Sequence, residues 1–270
     1  SDRVLIGGDD TESGQKAVQA LVNIYSNWIP NEKILTTNVW SSELSKLASN
    51  AMLAQRISSI NSLSALCEKT GANIDELSKA IGMDHRIGPH FLKASVGFGG
   101  SCFQKDVLNL VYLCKHFGLY EVAEYWHQVV KINNYQKNRF AQKIIDHFEG
   151  DLSDKKIIIL GWAFKANTND TRESPSIYVT EMLFKAGASI EVYDPMVKSK
   201  KIYNDINEYW NILYDNESLT RRFNVINELS NLDKKASAVA ITTEWEGFKK
   251  INLSAYKLFQ ARSFVNHNSL

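Results

Sequence analysis

The sequence has little cysteine: three residues in 270, Cys67, Cys102 and Cys114, which stand far apart. No CxxC pair or cysteine–histidine spacing accompanies them, which argues against a disulfide framework and against a zinc site. A scattered, odd set of thiols suits a reducing compartment instead. We therefore expect a cytoplasmic protein without a bound metal.

Long hydrophobic runs and an excess of one charge are absent as well. No stretch approaches the roughly 20 apolar residues of a membrane span, and the net charge is only +1. Neither a membrane nor a nucleic acid is therefore expected as a partner. The apolar fraction of 44% is ordinary for a folded protein, and the length suffices for about two domains.

The dinucleotide-binding fingerprint GxGxxG occurs nowhere in the chain. The first forty residues instead show strand-like segments at 4–8 and 33–37, separated by a helical pattern at 12–28. This order is typical of the trailing half of an α/β unit. Because the first strand follows Ser1 almost directly, we expect residues 1–40 to be the remnant of an N-terminal domain that precedes this sequence.

Two long helical patterns, at 41–69 and 121–148, predict a helical central domain over 41–150 that also joins subunits. A short helix is predicted at 74–81, with Asn73 as its N-cap. Lys46 and Asn50 share one face of the first long helix. The Lys46 side chain either extends to water or is partly desolvated.

Glycine dominates the stretch Gly97-Phe98-Gly99-Gly100-Ser101-Cys102-Phe103-Gln104-Lys105-Asp106. Such a run cannot form a stable helix or strand, and it indicates close approach of the main chain to another group. A helical pattern follows, so Cys102 is placed where the loop turns into a helix. Free N–H groups and the helix dipole favour a thiolate there, and we expect Lys105 and Asp106 to flank the sulfur as a charge pair. Cys102 is a candidate nucleophile, although a small buried cysteine beside a tight turn would show the same spacing.

A second doubly wound, Rossmann-like parallel sheet is predicted over 151–270. The apolar run at 156–160 is typical of a buried parallel strand, and further strands are predicted at 189–194 and 238–241. Ser174 is predicted to cap the intervening helix, with Pro175 at its first position. The polar segment 197–235 is predicted to be a helix with a surface loop. The fold class is therefore α/β, with the helical domain in front of this sheet.

Ligands bind such sheets beyond the carboxyl ends of the strands. Here that region is the loop carrying Lys165 and Arg172, which are either phosphate ligands or ordinary surface cations. Arg86, in the loop 82–89, could likewise clamp a phosphate or carboxylate, or be a solvated charge.

Two motifs together resemble those of the nucleotide-sugar dehydrogenases of the UDP-glucose/GDP-mannose dehydrogenase family. One is the stretch from Gly97 to Asp106, and the other is Lys165-x-x-Thr168-x-Asp170-x-Arg172-x-Ser174. The segments 42–47, 54–61 and 91–95 are similar to animal-type members that act on UDP-glucose. The resemblance runs from residue 2 to about residue 265.

The resemblance implies oxidation of the C6 alcohol of UDP-glucose to a carboxylate, with NAD as oxidant in two hydride transfers. Cys102 would attack the C6 aldehyde, and the resulting thiohemiacetal would become a thioester that water hydrolyses. Lys46 would stabilise the oxyanion or take the alcohol proton, Asn50 would hold the reacting oxygens, and Asp106 would position or activate the water.

The resemblance also implies a substrate site that draws on several segments. Its residues would be Lys46, Asn50, Arg86, Phe91, Leu92, Lys93, Ser95, Phe98, Gly99, Phe164 and Lys165. Arg86 would reach the sugar of a neighbouring subunit, which implies a homo-oligomer of at least two subunits and up to a hexamer. The NAD contacts would be Cys102, Lys105 and Arg172.

Two departures from the family pattern matter for activity. The NAD-binding glycines of the family would lie before Ser1, and the family's terminal Asp-Gly-Arg-Arg is replaced here by a different sequence at 264–270. We therefore expect this polypeptide alone to be inactive as a dehydrogenase. A dehydrogenase for another nucleotide sugar, and a non-catalytic module that binds a nucleotide sugar or supports assembly, remain alternatives.

Overall fold

The computed structural model describes residues 3–210 and 216–265. The chain begins with two parallel strands, β1 (Val4–Gly8) and β2 (Ile34–Asn38), joined by helix α1 (Glu12–Tyr25). This confirms the predicted strand–helix–strand order, although α1 ends three residues earlier than predicted. None of the residues of α1 is buried, so its apolar face packs against little within the described chain.

Four helices form the middle of the molecule: α2 (Val39–Thr70), α3 (Ile74–Gly82), α4 (Phe103–His116) and α5 (Tyr120–His147). The two long helices confirm the predicted pair, and Gly71 ends α2 with a φ of +77°. Asn73 caps α3 as predicted, since its side chain accepts hydrogen bonds from the N–H groups of Asp75 and Glu76.

Helices α2, α4 and α5 pack together around a shared apolar core. Small side chains on α2 let the helices approach closely, because Ala51 and Ala54 are fully buried against Val107 of α4 and Val129 of α5. This packing sets the first turn of α4 beside the first half of α2. No described helix is both long and apolar enough to span a membrane.

The C-terminal part is a five-stranded parallel sheet in the order β5-β4-β3-β6-β7. Its strands are β3 (Lys156–Leu160), β4 (Ser189–Tyr193), β5 (Phe223–Val225), β6 (Ala238–Ile241) and β7 (Lys257–Phe259); the helices of this part are α6 (Pro175–Lys185), α7 (Ser199–Tyr209) and α8 (Asn216–Arg222). The α/β fold class and the doubly wound parallel sheet are confirmed. The strand order reverses between β3 and β6, which places a ligand crevice outside the carboxyl ends of those strands.

One detail of the predicted C-terminal part is wrong. The segment 197–235 contains strand β5 as well as helices α7 and α8, so it is more regular than a helix with a surface loop. Ser174 and Pro175 occupy the N-cap and the first position of α6 as predicted, but the Ser174 hydroxyl makes no capping hydrogen bond and is buried without a partner among the described residues. The predicted departure from Asp-Gly-Arg-Arg falls on 264–270, of which residues 266–270 lie outside the described part. The domain boundaries near 40 and 150 stay predictions.

Candidate active site

Cys102 is the N-cap residue of α4, at the loop-to-helix junction that the glycine pattern predicts. It is exposed, whereas Cys67 and Cys114 are buried. Its carbonyl accepts the first helical hydrogen bond, from the N–H of Asp106 at 2.8 Å. Its side chain makes no capping bond, so the thiol stays accessible beside the free N–H groups of the first turn.

One turn into α4, Asp106 binds two side chains of α2. Lys46 Nζ and Asn50 Nδ2 both donate to Asp106 Oδ2, the amide at 2.5 Å. Asp106 is only 4% exposed, while the Lys46 side chain is 61% exposed. Burial raises the pKa of Asp106, but the hydrogen bonds from Lys46 and Asn50 together lower it by more. The pKa of Asp106 therefore lies below its usual value.

The predicted pairing of Asp106 with Lys105 is therefore wrong. The partner is Lys46, 60 residues earlier in the chain, and Lys105 acts on Asp106 only through its charge at longer range. The reason is tertiary, because α2 runs alongside the first turn of α4 and brings Lys46 to the carboxylate. The Lys46 side chain is largely exposed, in agreement with the first of the two predicted alternatives. Its ammonium group nevertheless pairs with the buried carboxylate of Asp106.

An open cleft of about 790 Å³ lies beside this group, between α2 and the strands β1 and β2. Its lining includes Lys46, Asn50, Arg3, Leu5 and Leu35. Small-molecule sites in proteins are concave spaces of about this size. The cleft therefore gives a ligand access to Lys46 and Asn50.

The glycine loop lies tightly against the segment that follows β3. A Cβ atom on Gly99 would come within 2.4 Å of the carbonyl oxygen of Glu173 and 2.9 Å of Phe164 Cβ. Gly100 has a φ of +84°, and its N–H donates to the carbonyl of Arg172 at 2.7 Å. The predicted close approach of the main chain is confirmed, and its partner is the loop between β3 and α6.

In the predicted substrate segment 91–99, the side chains divide between core and surface. Leu92 and Phe98 are each 5% exposed and pack in the core, so only their main-chain groups could face a ligand. Phe91 and Lys93 are exposed, and Phe91 has a left-handed φ of 61°. Ser95 is half-buried, with its hydroxyl 3.3 Å from the N–H of Gly97.

Asp194, at the end of β4, holds the loop that carries Phe164 and Lys165. Its Oδ2 accepts hydrogen bonds from the N–H groups of Trp162 (2.7 Å) and Ala163 (3.0 Å). Lys165 is exposed, and Phe164 is half-buried against Gly100. The β3–α6 loop thus lies against the glycine loop that carries Cys102. A site formed by both loops requires this proximity.

Arg172 and Arg86 are held in the same way, each by an aspartate two residues earlier. The Nη2–Oδ2 distances are 2.7 Å for Arg172–Asp170 and 2.6 Å for Arg86–Asp84. The hydrogen bonds that Arg172 donates to Asp170 raise the pKa of Arg172, and an electrostatic interaction with Cys102 makes a smaller contribution. Arg172 is therefore near Cys102, whereas Arg86 contacts none of the other predicted site residues by hydrogen bond or ion pair in the described chain, and its role towards a neighbouring subunit stays a prediction.

Comparison with known proteins decides the family. Residues 40–135 match the central domain, and residues 158–266 the UDP binding domain, of one family. The chain belongs to the UDP-glucose/GDP-mannose dehydrogenase family. The family match covers both halves of the site, since α2 and α4 lie in the first region and the β3–α6 loop in the second.

Relatives in this family are similar over nearly all of this chain. The UDP-glucose 6-dehydrogenase of Pongo abelii is 57% identical over 251 residues, which cover 93% of this chain and 50% of the relative. That of Drosophila melanogaster is 50% identical over 278 residues, 100% of this chain and 58% of the relative. The chain therefore spans about half the length of the curated relatives it matches.

A solved member of the family has the same fold. The UDP-glucose dehydrogenase from the archaeon Pyrobaculum islandicum superposes with a TM-score of 0.82 at 28% identity, covering 98% of this chain and 56% of that one. The helical middle and the parallel sheet thus keep the family arrangement.

The family resemblance implies NAD, for which the described residues offer contacts at one end. Lys105 and Arg172 are exposed cations, and α4 has no side chain capping its first N–H groups, so this region fits an anionic or amide group of a dinucleotide. Gly7 and Gly8 are required for packing, because Cβ atoms there would lie 2.5 Å from Ser42 Cβ and 2.3 Å from Val18 Cγ2. Cys102, Lys105 and Arg172 remain the candidate contacts.

Sequence reasoning missed the residues that hold the glycine loop. Glu173, with a φ of 53°, places its carbonyl against Gly99. Asn133 and Gln136 on α5 bind the main chain of Phe98 and Ser95. The available signal was a pair of amide side chains inside the apolar stripe of a long helix, where polar residues need partners.

Proposed function

We propose that this chain supplies the substrate site and the catalytic cysteine of an NAD-dependent UDP-glucose 6-dehydrogenase. The main support for this proposal is the exposed Cys102 at the start of α4, one helical turn from the Lys46–Asp106–Asn50 group. The loop that bears it lies against the β3–α6 loop of the region matching the UDP binding domain. The high identity to UDP-glucose 6-dehydrogenases supports the choice of UDP-glucose among nucleotide sugars.

Each residue of this group has a role that its surroundings support. The Cys102 thiolate adds to the C6 carbonyl carbon, and the negative charge that develops on oxygen is stabilised by the Lys46 ammonium. The hydrogen bonds from Lys46 and Asn50 lower the pKa of Asp106 and keep it ionised, so its carboxylate can position the attacking water or take its proton. Asn50 donates to the same carboxylate oxygen and fixes its orientation.

The order of bond changes follows from these roles. NAD, when bound, would accept the hydride that leaves C6 in each of the two oxidations, and the hydroxyl proton lost in the first would be released to solvent through the open cleft beside Lys46. Loss of hydride from the thiohemiacetal leaves a thioester on Cys102. Water, deprotonated by Asp106, adds to the thioester carbon; the C–S bond then breaks and the thiolate of Cys102 leaves.

Binding of the nucleotide sugar can be measured on this chain by calorimetric titration. We expect UDP-glucose to bind more tightly than GDP-mannose, and Lys165→Ala to weaken it by about tenfold or more, since a lost charge-assisted bond to phosphate costs roughly 1.5–3 kcal/mol. Lys69→Ala, which removes an exposed lysine at the end of α2, is the control and should leave binding unchanged.

The other outcomes of that titration also decide between proposals. Preferential binding of GDP-mannose would assign a different nucleotide sugar. Binding of neither compound would show that the described residues do not form the sugar site by themselves. Equal weakening by Lys69→Ala would remove Lys165 from the site.

Accessibility of the three thiols predicts the order of their alkylation. Iodoacetamide at neutral pH should modify Cys102 at least about tenfold faster than Cys67 or Cys114, because only Cys102 is exposed and lies at a helix N-terminus. Peptide mass spectrometry over time measures each rate. Cys102→Ser should remove the fast phase alone, and equal rates at all three thiols would contradict the nucleophile assignment.

A further inference from the structure

The side chain of Asn133, on α5, binds the main chain of Phe98 as a neighbouring strand would. Its Oδ1 accepts from the N–H of Phe98 at 2.8 Å, and its Nδ2 donates to the carbonyl of Phe98 at 3.0 Å. Asn133 is 0% exposed, so water cannot replace either bond. Phe98 belongs to no described strand, so this amide satisfies both of its main-chain polar groups.

Two further amide side chains bind the main chain of Ser95, three residues before Phe98. Gln136 Nε2 donates to the carbonyl of Ser95 at 2.6 Å, and Asn61 Oδ1, on α2, accepts from the N–H of Ser95 at 2.8 Å. Between these anchors Gly97 has a φ of +140°, and a Cβ atom there would lie 2.9 Å from Asn133 Oδ1. The path of the main chain at Gly97 and Phe98 is therefore fixed from α5.

The residues that follow Phe98 lead directly into the site. Gly99 packs against Glu173 and Phe164, the N–H of Gly100 binds the carbonyl of Arg172, and Cys102 begins α4. A displacement of Phe98 has only three residues in which to be absorbed before the thiol. The two glycines among them are confined by backbone contacts and cannot shift freely.

We propose that Asn133 is a positioning residue: by binding both main-chain groups of Phe98 it sets the placement of the glycine loop and of Cys102. This inference rests on the proposed function for its catalytic meaning. Asn133 touches no reacting atom itself and acts through the loop.

Hydrogen exchange of individual amides tests the proposal on this chain. In Asn133→Leu, which has a similar volume but no polar atoms, exchange should accelerate on the order of tenfold or more at both Phe98 and Gly100, as expected when a buried bond is lost. Alkylation of Cys102 by iodoacetamide should slow by at least about threefold as the sulfur moves away from the helix N-terminus. Asn134→Ala, the exposed neighbour on the same helix, is the matched control and should change neither rate.

Asn133→Asp keeps the test decisive if the leucine variant does not fold. The aspartate has the same shape and still accepts from the N–H of Phe98; at this buried position its neutral form is favoured, and the acid hydroxyl can donate to the Phe98 carbonyl. Protection of the Phe98 amide should then stay within about threefold of the wild-type chain. This rescue by a polar side chain of the same shape would not follow from a role in packing alone.

Two results would overturn the proposal. One is unchanged exchange at Phe98 in Asn133→Leu, or exchange in Asn133→Asp as fast as in the leucine variant. The other is faster exchange at Phe98 with Gly100 and the alkylation rate of Cys102 unaffected, which would confine Asn133 to local structure. A wild-type chain that fails to bind UDP-glucose would instead count against the proposed function, since hydrogen exchange needs no substrate.

Discussion

Gly99→Ala is expected to destabilise the folded chain by about 3 kcal/mol, the upper end of the range for overpacking in a filled core. The added Cβ would lie 2.4 Å from the carbonyl oxygen and 2.9 Å from the carbonyl carbon of Glu173. Because these are backbone atoms of the β3–α6 loop, no side-chain rotation can relieve the contact. Either the glycine loop or the β3–α6 loop must move.

Urea unfolding followed by circular dichroism measures this loss as a lower midpoint at an unchanged slope. Gly247→Ala is the matched control, since a Cβ there would meet nothing within 4 Å. It should be neutral or stabilise by a few tenths of a kcal/mol, through the lower entropy of the unfolded chain. Equal midpoints for Gly99→Ala and wild type would mean that the loop does not pack against Glu173.

The regular elements were predictable because their signals are local. The helical spacing of α2 and α5, the apolar runs of β3 and β6, and the cap at Asn73 each depend on residues close in sequence. The place of Cys102, at the junction of loop and helix, followed from neighbouring glycines in the same way. Strands β5 and β7 have three residues each, which is too short for a clear alternation.

The partners of the site residues could not be predicted from local signals. Asp106 has an adjacent lysine in sequence but binds Lys46 from another helix, because packing of α2 on α4 decides the contact. The glycines indicated a close approach of the main chain, but nothing near them in sequence identified Glu173 as the partner. Contacts between residues far apart in sequence depend on how the helices and loops pack. The spacing of residues along one helix therefore does not predict them.

Lys137 is expected to make the free energy of unfolding increase with pH, and substitution of this lysine should remove that increase. It is 4% exposed on α5, one turn beyond Asn133, and lies over the Tyr178 ring with Nζ 3.9 Å from the ring centre. Burial lowers the pKa of Lys137 to about 8, and the charge of Glu173 opposes the shift in part. An unfolded lysine has a pKa of about 10.4.

The sign of the effect follows from proton binding. Above about pH 8 the folded chain releases the Lys137 proton while the unfolded chain keeps it, so the unfolded state binds more protons and stability rises with pH. The full difference is worth roughly 3 kcal/mol and is reached only near pH 10. Tyrosines with raised pKa values act in the opposite direction from about pH 9.5, which limits the useful window to pH 7.5–9.5; they are Tyr178, Tyr193, Tyr203, Tyr209 and Tyr256.

Lys137→Met should therefore flatten the free energy of unfolding across that window relative to wild type. At pH 7 it should stabilise the chain by about 1–2 kcal/mol, since relief of the buried charge, roughly 3 kcal/mol, exceeds the lost cation–π contact of about 1–2 kcal/mol. Urea titrations at each pH give the difference, in which the titration of unfolded cysteines cancels. Lys115→Met, which removes an exposed lysine of α4, is the control and should follow wild type.

Two other results of the Lys137→Met experiment would each contradict this prediction, and both concern the surroundings of Glu173. Tyr178 donates to Glu173 Oε2 at 2.7 Å, and Gln104 of α4 donates to the same oxygen at 3.2 Å. If Lys137→Met destabilises the chain at every pH, the ammonium is required to balance Glu173 beneath the glycine loop. If the slope with pH equals that of wild type, Lys137 keeps its proton in the folded chain and the buried position does not shift its titration.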